Sequence, residues 1–264
     1  MTELFEHELA VAERAARAAG EIIAGYYARG GIAVETKADE SPVTAADKAA
    51  SAAILEILRA AFPDDAILDE EQPDDPARLG AARVWLVDPL DGTRDFVART
   101  GQFSVHVALA VAGEAVVGVM YQPVAQALFA ARQGGGAWRN GESIRVSDRC
   151  SDLRIGVSRM VANPRLARFL AEAGLDRHVV PMGASTRHAA IAAGELDATI
   201  VLGGDFQWDT AAPEVVLHEA GGMLTDGDGR PFRYNQREVA HPRGLIASNG
   251  ACHERLVELL RGQL

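Results

Sequence analysis

Residues 84–96 read VWLVDPLDGTRDF: an apolar run from Val84 to Val87 that breaks into Asp88, Pro89, Leu90, Asp91, Gly92 and Thr93. The run has the length and the apolar character of a strand. The six residues after it admit two readings. Pro and Gly in these places make an acceptable surface turn. The same residues also suit a hard divalent cation, which takes oxygen ligands from carboxylates and backbone carbonyls. Pro89 fixes the bend, so Asp88, the Leu90 carbonyl and Asp91 can face one point. Alone, the stretch is balanced between turn and site, and the rest of the chain has to decide.

Other carboxylates sit in comparable positions. Glu70 and Glu71 follow the strand-like AILD, and Asp209 follows DFQW where a helix opens. Each lies at the end of a strand or the start of a helix, where side chains can converge over a sheet edge. Structural roles stand beside these. Asp209 is a natural N-cap for a helix beginning at Thr210, and Asp47, three residues after Thr44, holds the acid position of a capping box. DGDGR (226–230) has Arg230 where a calcium loop needs a ligand and reads as a hairpin turn. The DGT of residues 91–93 also invites comparison with phosphatases whose nucleophilic loop reads DxDGT. Here the residue two before Asp91 is Pro89, which cannot be a nucleophile, and that points to water as the attacking group.

Composition narrows the classes. With 264 residues, 48% hydrophobic and 24% charged, the chain can bury a large core in one domain or two. Its formal charge of −11 repels polyanions, so a nucleic-acid polymer is excluded as partner. An anionic ligand needs a positive intermediary. Cys150 and Cys252 are far apart and form no CxxC or disulfide framework, which fits a reducing cytoplasm. No segment has the character of a signal peptide or a membrane span.

Leu4, Phe5, Leu9, Ile22, Ile23 and Tyr26 recur at helical spacing, predicting a helix over residues 3–28 closed by Gly30 and Gly31. A second helix is capped by Thr44, runs to Phe62 and stops at Pro63. From there AILDEE, RVWLVDP, FSVHVALAVAG, AVVGVMYQP and ALFAAR predict a largely antiparallel sheet. Asn140-Gly141 marks a hairpin, and no helix opens after Gly134-Gly135-Gly136 to make that run a phosphate loop. Beyond residue 150 the rhythm is strand, helix, strand, with helices over 164–173, 186–193, 210–220 and 251–261. The chain therefore reads as an α+β half (1–150) with an antiparallel sheet and an α/β half (151–264). No linker separates them, so the halves are expected to pack intimately. His106, His188 and His218 are read as packing or surface residues, since no paired metal spacing links them.

DESPVTAAD (39–47), ILDEE (67–71), WLVDPLDGTRDF (85–96) and WDTAAPEVVLHEAGG (208–222), in this order and spacing, resemble the inositol monophosphatase family of Mg2+-dependent, lithium-sensitive phosphatases. The resemblance runs across nearly the whole chain. Within the family, residues 86–110 are most similar to the 3'(2'),5'-bisphosphate nucleotidases of the CysQ type, which remove the 3'-phosphate of adenosine 3',5'-bisphosphate left by sulfate assimilation. The resemblance implies a layered αβαβα fold and two or three Mg2+ ions held by Glu70, Asp88, the Leu90 carbonyl, Asp91 and Asp209. It makes Thr93 and Asp47 the pair that orients and helps deprotonate water, and Gly92 and Thr93 amide donors to the phosphate. Lys37 and Glu71 fall at further active-site positions, Glu71 among the catalytic ones. Ser185 and Arg187, in MGASTRHAAIAAGELDA, fall in the substrate pocket together with Glu70, Leu90, Asp91 and Asp209.

The sequence also departs from the pattern. Asp69 stands where Gly or Ser usually precedes the Glu pair, and a carboxylate there can alter metal affinity. Leu202 replaces the acid that holds sugar hydroxyls in inositol-specific members, and VLGGDFQ lacks the basic residue of some nucleotidases. Inositol-1-monophosphatase and fructose-1,6-bisphosphatase are the enzyme alternatives; a cation-binding scaffold is the non-enzymatic one, and the Thr93–Asp47 pair argues against it. A small phosphate ester is the expected ligand. Family members are often homodimers, although no apolar stripe or heptad in this chain marks an interface.

Overall fold

The computed structural model describes residues 4–261 except 32, 37–41, 161–162 and 204. Lys37, expected at the active site, lies outside the described residues. Helix α1 (Glu6–Arg29) buries Val11, Ala12, Ala15, Ala16, Ala19 and Ile23 on one face. Gly30 and Gly31, both at positive φ, end it. Two short strands, β1 (Val34–Thr36) and β2 (Pro42–Thr44), pair antiparallel and lead into α2 (Ala45–Ala61). Thr44 caps α2 by accepting the Ala46 amide at 3.1 Å.

A seven-stranded sheet comes next, built from β3 (Ala66–Asp69), β4 (Arg83–Asp91), β5 (Ser104–Val111), β6 (Glu114–Gln122), β7 (Ala127–Arg132), β8 (Gly136–Arg139) and β9 (Glu142–Ser143), in that spatial order. The short helix α3 (Thr93–Val97) separates β4 from β5. β3 runs parallel to β4, and the other neighbours are antiparallel. The β8–β9 hairpin turns at Asn140-Gly141, both at positive φ, as its sequence predicts.

The second half forms a five-stranded mixed sheet from β10 (Arg154–Ser158), β11 (His178–Met182), β12 (Ala198–Val201), β14 (Met223–Asp226) and β16 (Leu245–Ser248), in the spatial order β11-β10-β12-β16-β14. Interleaved with it along the chain are α4 (Pro164–Glu172), α5 (Ala184–Ala192), β13 (Asp205–Phe206), α6 (Gln207–Glu219), β15 (Ala240–His241) and α7 (His253–Leu260); β13 and β15 pair with each other. Asp226 accepts the amides of Asp228 and Arg230, which closes 226–230 as a turn.

Three cores arise from alternation along the strands. Trp85, Val87, Val105, Val107 and Leu109 pack under α1 and α2. Val84, Leu86, Ala108, Ala110 and Met120 point the other way, onto α5, α6 and the inner face of the second sheet. Ile155, Ala198, Ile200 and Ile246, on the outer face of that sheet, pack with Leu166, Phe169 and Leu170 of α4 and Leu256 and Leu260 of α7. The result is the expected five-layer αβαβα arrangement. Residues from both halves share the middle core, and α6 lies within it.

Two boundaries differ from the sequence reading. β4 does not stop at Val87 but continues through Asp91, because Asp88 and Asp91 keep backbone pairing with β5. α6 starts at Gln207 rather than Thr210, so Asp209 is not the N-cap but lies in the first turn. From there its carboxylate reaches back to accept the Phe206 amide at 2.7 Å.

α6 can approach the large sheet because β6 offers Gly118. A Cβ there would stand 2.5 Å from the Ala212 carbonyl oxygen and 3.0 Å from the Val215 Cβ. Gly118→Val should therefore push α6 outward and destabilise the protein by about 1–3 kcal/mol. A thermal melt against wild type checks this, with an unchanged midpoint as the contrary result.

Candidate active site

In a regular strand, residues three apart point to opposite faces. Asp88 pairs with His106 and Asp91 with Ser104, so Pro89 and Leu90 together face the single residue Val105. This is a β-bulge, one of the few places a sheet tolerates proline. It brings Asp88 and Asp91 back to the same face, the one that carries α6. The Leu90 amide donates to Asp88 Oδ1 at 2.9 Å and locks the bulge.

Glu70 arrives from the neighbouring strand. β3 and β4 are parallel, so their C-terminal ends open at the same edge, and the Glu70 amide donates to the Val87 carbonyl at 3.1 Å. Asp69, the departure noted in the sequence, is buried and holds this turn. It accepts the Glu71 amide at 2.7 Å and the Ser51 hydroxyl of α2 at 3.1 Å. Glu71 is half-buried in the same turn. Asp209 comes from the first turn of α6.

The electrostatics record the convergence. Burial raises the Asp88 carboxyl well above the usual range, and the charges of Glu70, Asp91 and Asp209 raise it further. Asp91 is pushed up to about 7 by burial and by Glu70 and Asp205, with Arg187 acting in the opposite direction. Asp209 is likewise raised well above the carboxylate range by burial and by Asp91, Asp205 and Glu70. Carboxylates gathered in this way require positive charge beside them.

Asp47 serves two neighbours. Its Oδ2 accepts the Thr44 amide at 2.9 Å and the Thr44 hydroxyl at 2.6 Å, while its Oδ1 accepts the Thr93 hydroxyl at 3.1 Å. Asp47 therefore fills the capping role read from the sequence and at the same time holds the Thr93 hydroxyl. Thr93 Oγ1 is also 3.2 Å from the Leu90 carbonyl oxygen, which joins that carbonyl to the same point. Gly92, the residue before α3, has φ 93°, a conformation that favours glycine.

Arg187 of α5 is 5% exposed and is held by the Thr199 hydroxyl at 3.1 Å. Ser185 lies in the same helix. Two residues beside the cluster had no role in the sequence reading. His106, read there as a packing or surface residue, is fully buried, and burial depresses its ring to about 3, so it is neutral. Its Nε2 is 2.9 Å from Ser104 Oγ and 3.7 Å from Asp91 Oδ2, and one atom each of Asp88, Asp91 and His106 lie within 4.8 Å of one another. The available signal was FSVHVAL, whose alternation puts Ser104 and His106 on one face. The other is Asp205, in the GGDFQ segment, whose charge acts on both Asp91 and Asp209. His188 is buried, with both ring nitrogens unpartnered among the described residues, and is a packing residue.

With this geometry in view, the sequence matches the model of the inositol monophosphatase family over residues 5–264. The chain belongs to that family. It is 37% identical over 209 residues to the 3'(2'),5'-bisphosphate nucleotidase CysQ of Escherichia coli (strain K12), covering 78% of this chain and 84% of that protein. It is 30% identical over 257 residues to a histidinol-phosphatase of Chlorobaculum parvum, covering 95% of each. Its fold superposes with a TM-score of 0.80 on the crystal structure of CysQ from Bacteroides thetaiotaomicron, a bacterial member of the same family, at 29% identity, covering 93% of this chain and 98% of that one. The inositol monophosphatase family is one of metal-dependent phosphatases, and the acidic cluster of this member fits a metal. Asp88 and Asp91 offer oxygen donors, as a hard cation requires, with the neutral His106 ring beside them, and the repulsion among the carboxylates is what a divalent ion would relieve. Among the described residues, no helix is long and apolar enough to cross a membrane.

Asp88→Asn keeps an oxygen for the Leu90 amide but removes one charge from the cluster. In EDTA this variant should melt above wild type, by about 2–4 °C for each kcal/mol of repulsion relieved. Added Mg2+ should stabilise wild type and leave the variant nearly unmoved. A variant that melts below wild type in EDTA would contradict the repulsion.

Proposed function

We propose that this protein is a Mg2+-dependent 3'(2'),5'-bisphosphate nucleotidase that hydrolyses adenosine 3',5'-bisphosphate to AMP and phosphate in the cytoplasm. The observation that carries the phosphatase reading is the gathering of the Asp88, Asp91 and Asp209 carboxylates with Glu70 beside the Thr93–Asp47 hydrogen bond. Cation binding alone has no need of that last pair.

Glu70, Asp88, the Leu90 carbonyl, Asp91 and Asp209 would hold the ions. Bound there, Mg2+ supplies neutralisation of the phosphate dianion, a lowered pKa for the attacking water and stabilisation of the leaving oxygen. The remaining work belongs to side chains. Thr93 donates its hydroxyl proton to Asp47 Oδ1, which leaves its oxygen lone pairs free to accept a hydrogen bond from water. As water attacks phosphorus the P–O bond to the alcohol breaks; the water proton passes to Thr93 and the Thr93 proton to Asp47, and the departing oxygen takes a proton from solvent. Burial raises the Asp47 carboxyl, which makes it a better proton acceptor, and its two bonds from Thr44 keep it in line. The amides of Gly92 and Thr93, where α3 begins, are suited to the phosphate oxygens.

For the leaving group, the similarity to CysQ favours a nucleoside, and a largely apolar cleft beside the cluster suits a base. Arg94 and Arg187 line that cleft and provide positive charge for a second phosphate. The histidinol-phosphatase similarity marks the alternative, an amino-alcohol phosphate.

Phosphate release from adenosine 3',5'-bisphosphate, inositol 1-phosphate, fructose 1,6-bisphosphate and histidinol phosphate, with and without Mg2+, tests the assignment. The first substrate should lead by kcat/KM, and equal rates on all four would defeat the nucleotidase reading. Thr93→Ala should lower kcat by about 10²–10⁴-fold, while Thr93→Ser retains most of it. Asp91→Asn and Asp209→Asn should each abolish turnover in protein that remains folded by circular dichroism.

A further inference from the structure

A cleft of about 720 Å3 opens beside the carboxylate cluster, bordered by β10, α4, α5 and β12. Val157, Leu166, Leu170, Ile200 and Leu202 contribute apolar walls. Of the charged residues that line it, Arg94 and Asp176 are exposed, whereas Arg187 is buried and Asp205 is partly withdrawn from solvent. Asp205 belongs to the short strand β13 and pairs with His241. Its Oδ2 is shielded from solvent and accepts no hydrogen bond from the described residues. Among the described residues no cation forms an ion pair with it, and Arg187 acts on it only through its field. A shielded acceptor of this kind is unfavourable until a donor arrives. Asp205 is close enough to the cluster for its charge to be felt at Asp91 and Asp209. A donor that reaches Asp205 from a phosphate seated at that cluster has to be attached near the phosphate.

We propose that Asp205 is a specificity residue that accepts a hydrogen bond from a hydroxyl or ammonium group on the carbon next to the one bearing the scissile phosphate, while the apolar cleft takes the rest of the alcohol. This rests on the phosphatase reading of the same site. A ribose 3'-phosphate carries such a hydroxyl, and a 2-amino-alcohol phosphate carries such an ammonium group.

Two substrate pairs test the assignment in the presence of Mg2+: glycerol 2-phosphate against isopropyl phosphate, and 2-aminoethyl phosphate against ethyl phosphate. Each pair keeps the carbon skeleton and differs in the neighbouring donor. Wild type should favour the donor-bearing member of at least one pair by about ten- to a hundredfold in kcat/KM. The pair that shows the preference tells hydroxyl from ammonium. Asp205→Leu should bring that ratio to near unity, and Asp205→Asn, which keeps an acceptor oxygen, should retain part of it. Ratios near unity in wild type, or a preference unchanged in Asp205→Leu, would overturn the assignment. Mg2+ affinity by calorimetry should fall by no more than about tenfold in Asp205→Asn, the effect of one nearby charge acting through its field; loss of Mg2+ binding altogether would make Asp205 a metal ligand and overturn it as well. If wild type releases no phosphate from any of these esters or from p-nitrophenyl phosphate, the phosphatase reading falls and takes this inference with it. Release from p-nitrophenyl phosphate without donor preference removes the inference alone.

Discussion

Carboxylates that repel one another inside a protein will separate unless the backbone prevents it, and much of this structure serves to prevent it. Asp88, Asp91 and Asp209 are all raised by burial and by neighbouring carboxylates, with Glu70 adding to the field at each. Each is fixed by a different device. A β-bulge turns Asp88 and Asp91 to one face, a parallel strand pair delivers Glu70 to the same edge, and the first turn of α6 brings Asp209 across the layer. Relaxation by side-chain rotation is restricted, because Asp88 is hydrogen-bonded to the Leu90 amide and Asp209 to the Phe206 amide. The site gathers like charges whose repulsion a cation would relieve.

Local structure and chemistry share residues here. Asp47 accepts the Thr44 bonds that start α2 and the Thr93 hydroxyl, so a helix cap also fixes the carboxylate that holds Thr93. Asp69 ties the turn carrying Glu70 and Glu71 to Ser51 of α2, although by residue type it could have been counted as one more ligand. A carboxylate next to a metal cluster need not join it when backbone amides and hydroxyls already satisfy it.

Much of the fold was legible because its signals are local. The glycines that end α1, the threonine that opens α2 and the Asn-Gly hairpin each act within a few residues. The end of β4 and the start of α6 were read too narrowly. Polar residues and proline look like the end of a strand, and only pairing with β5 reveals that the strand continues through a bulge. Asp209 looks like an N-cap in isolation, yet a carboxylate one turn in can reach back to the same amides.

The four acidic blocks, by their resemblance to a known family, pointed to the family and to phosphatase chemistry from the sequence alone. Those features are written as residue types at short separations, and motif spacing records them directly. What only the tertiary structure decided was which other side chains share the same space. His106 comes to Asp91 through strand register, and Asp205 comes to Asp91 and Asp209 through the packing of β13 and α6 against the cluster. Charge acts through space rather than along the chain, so the neighbours that tune this site are set by how the layers stack.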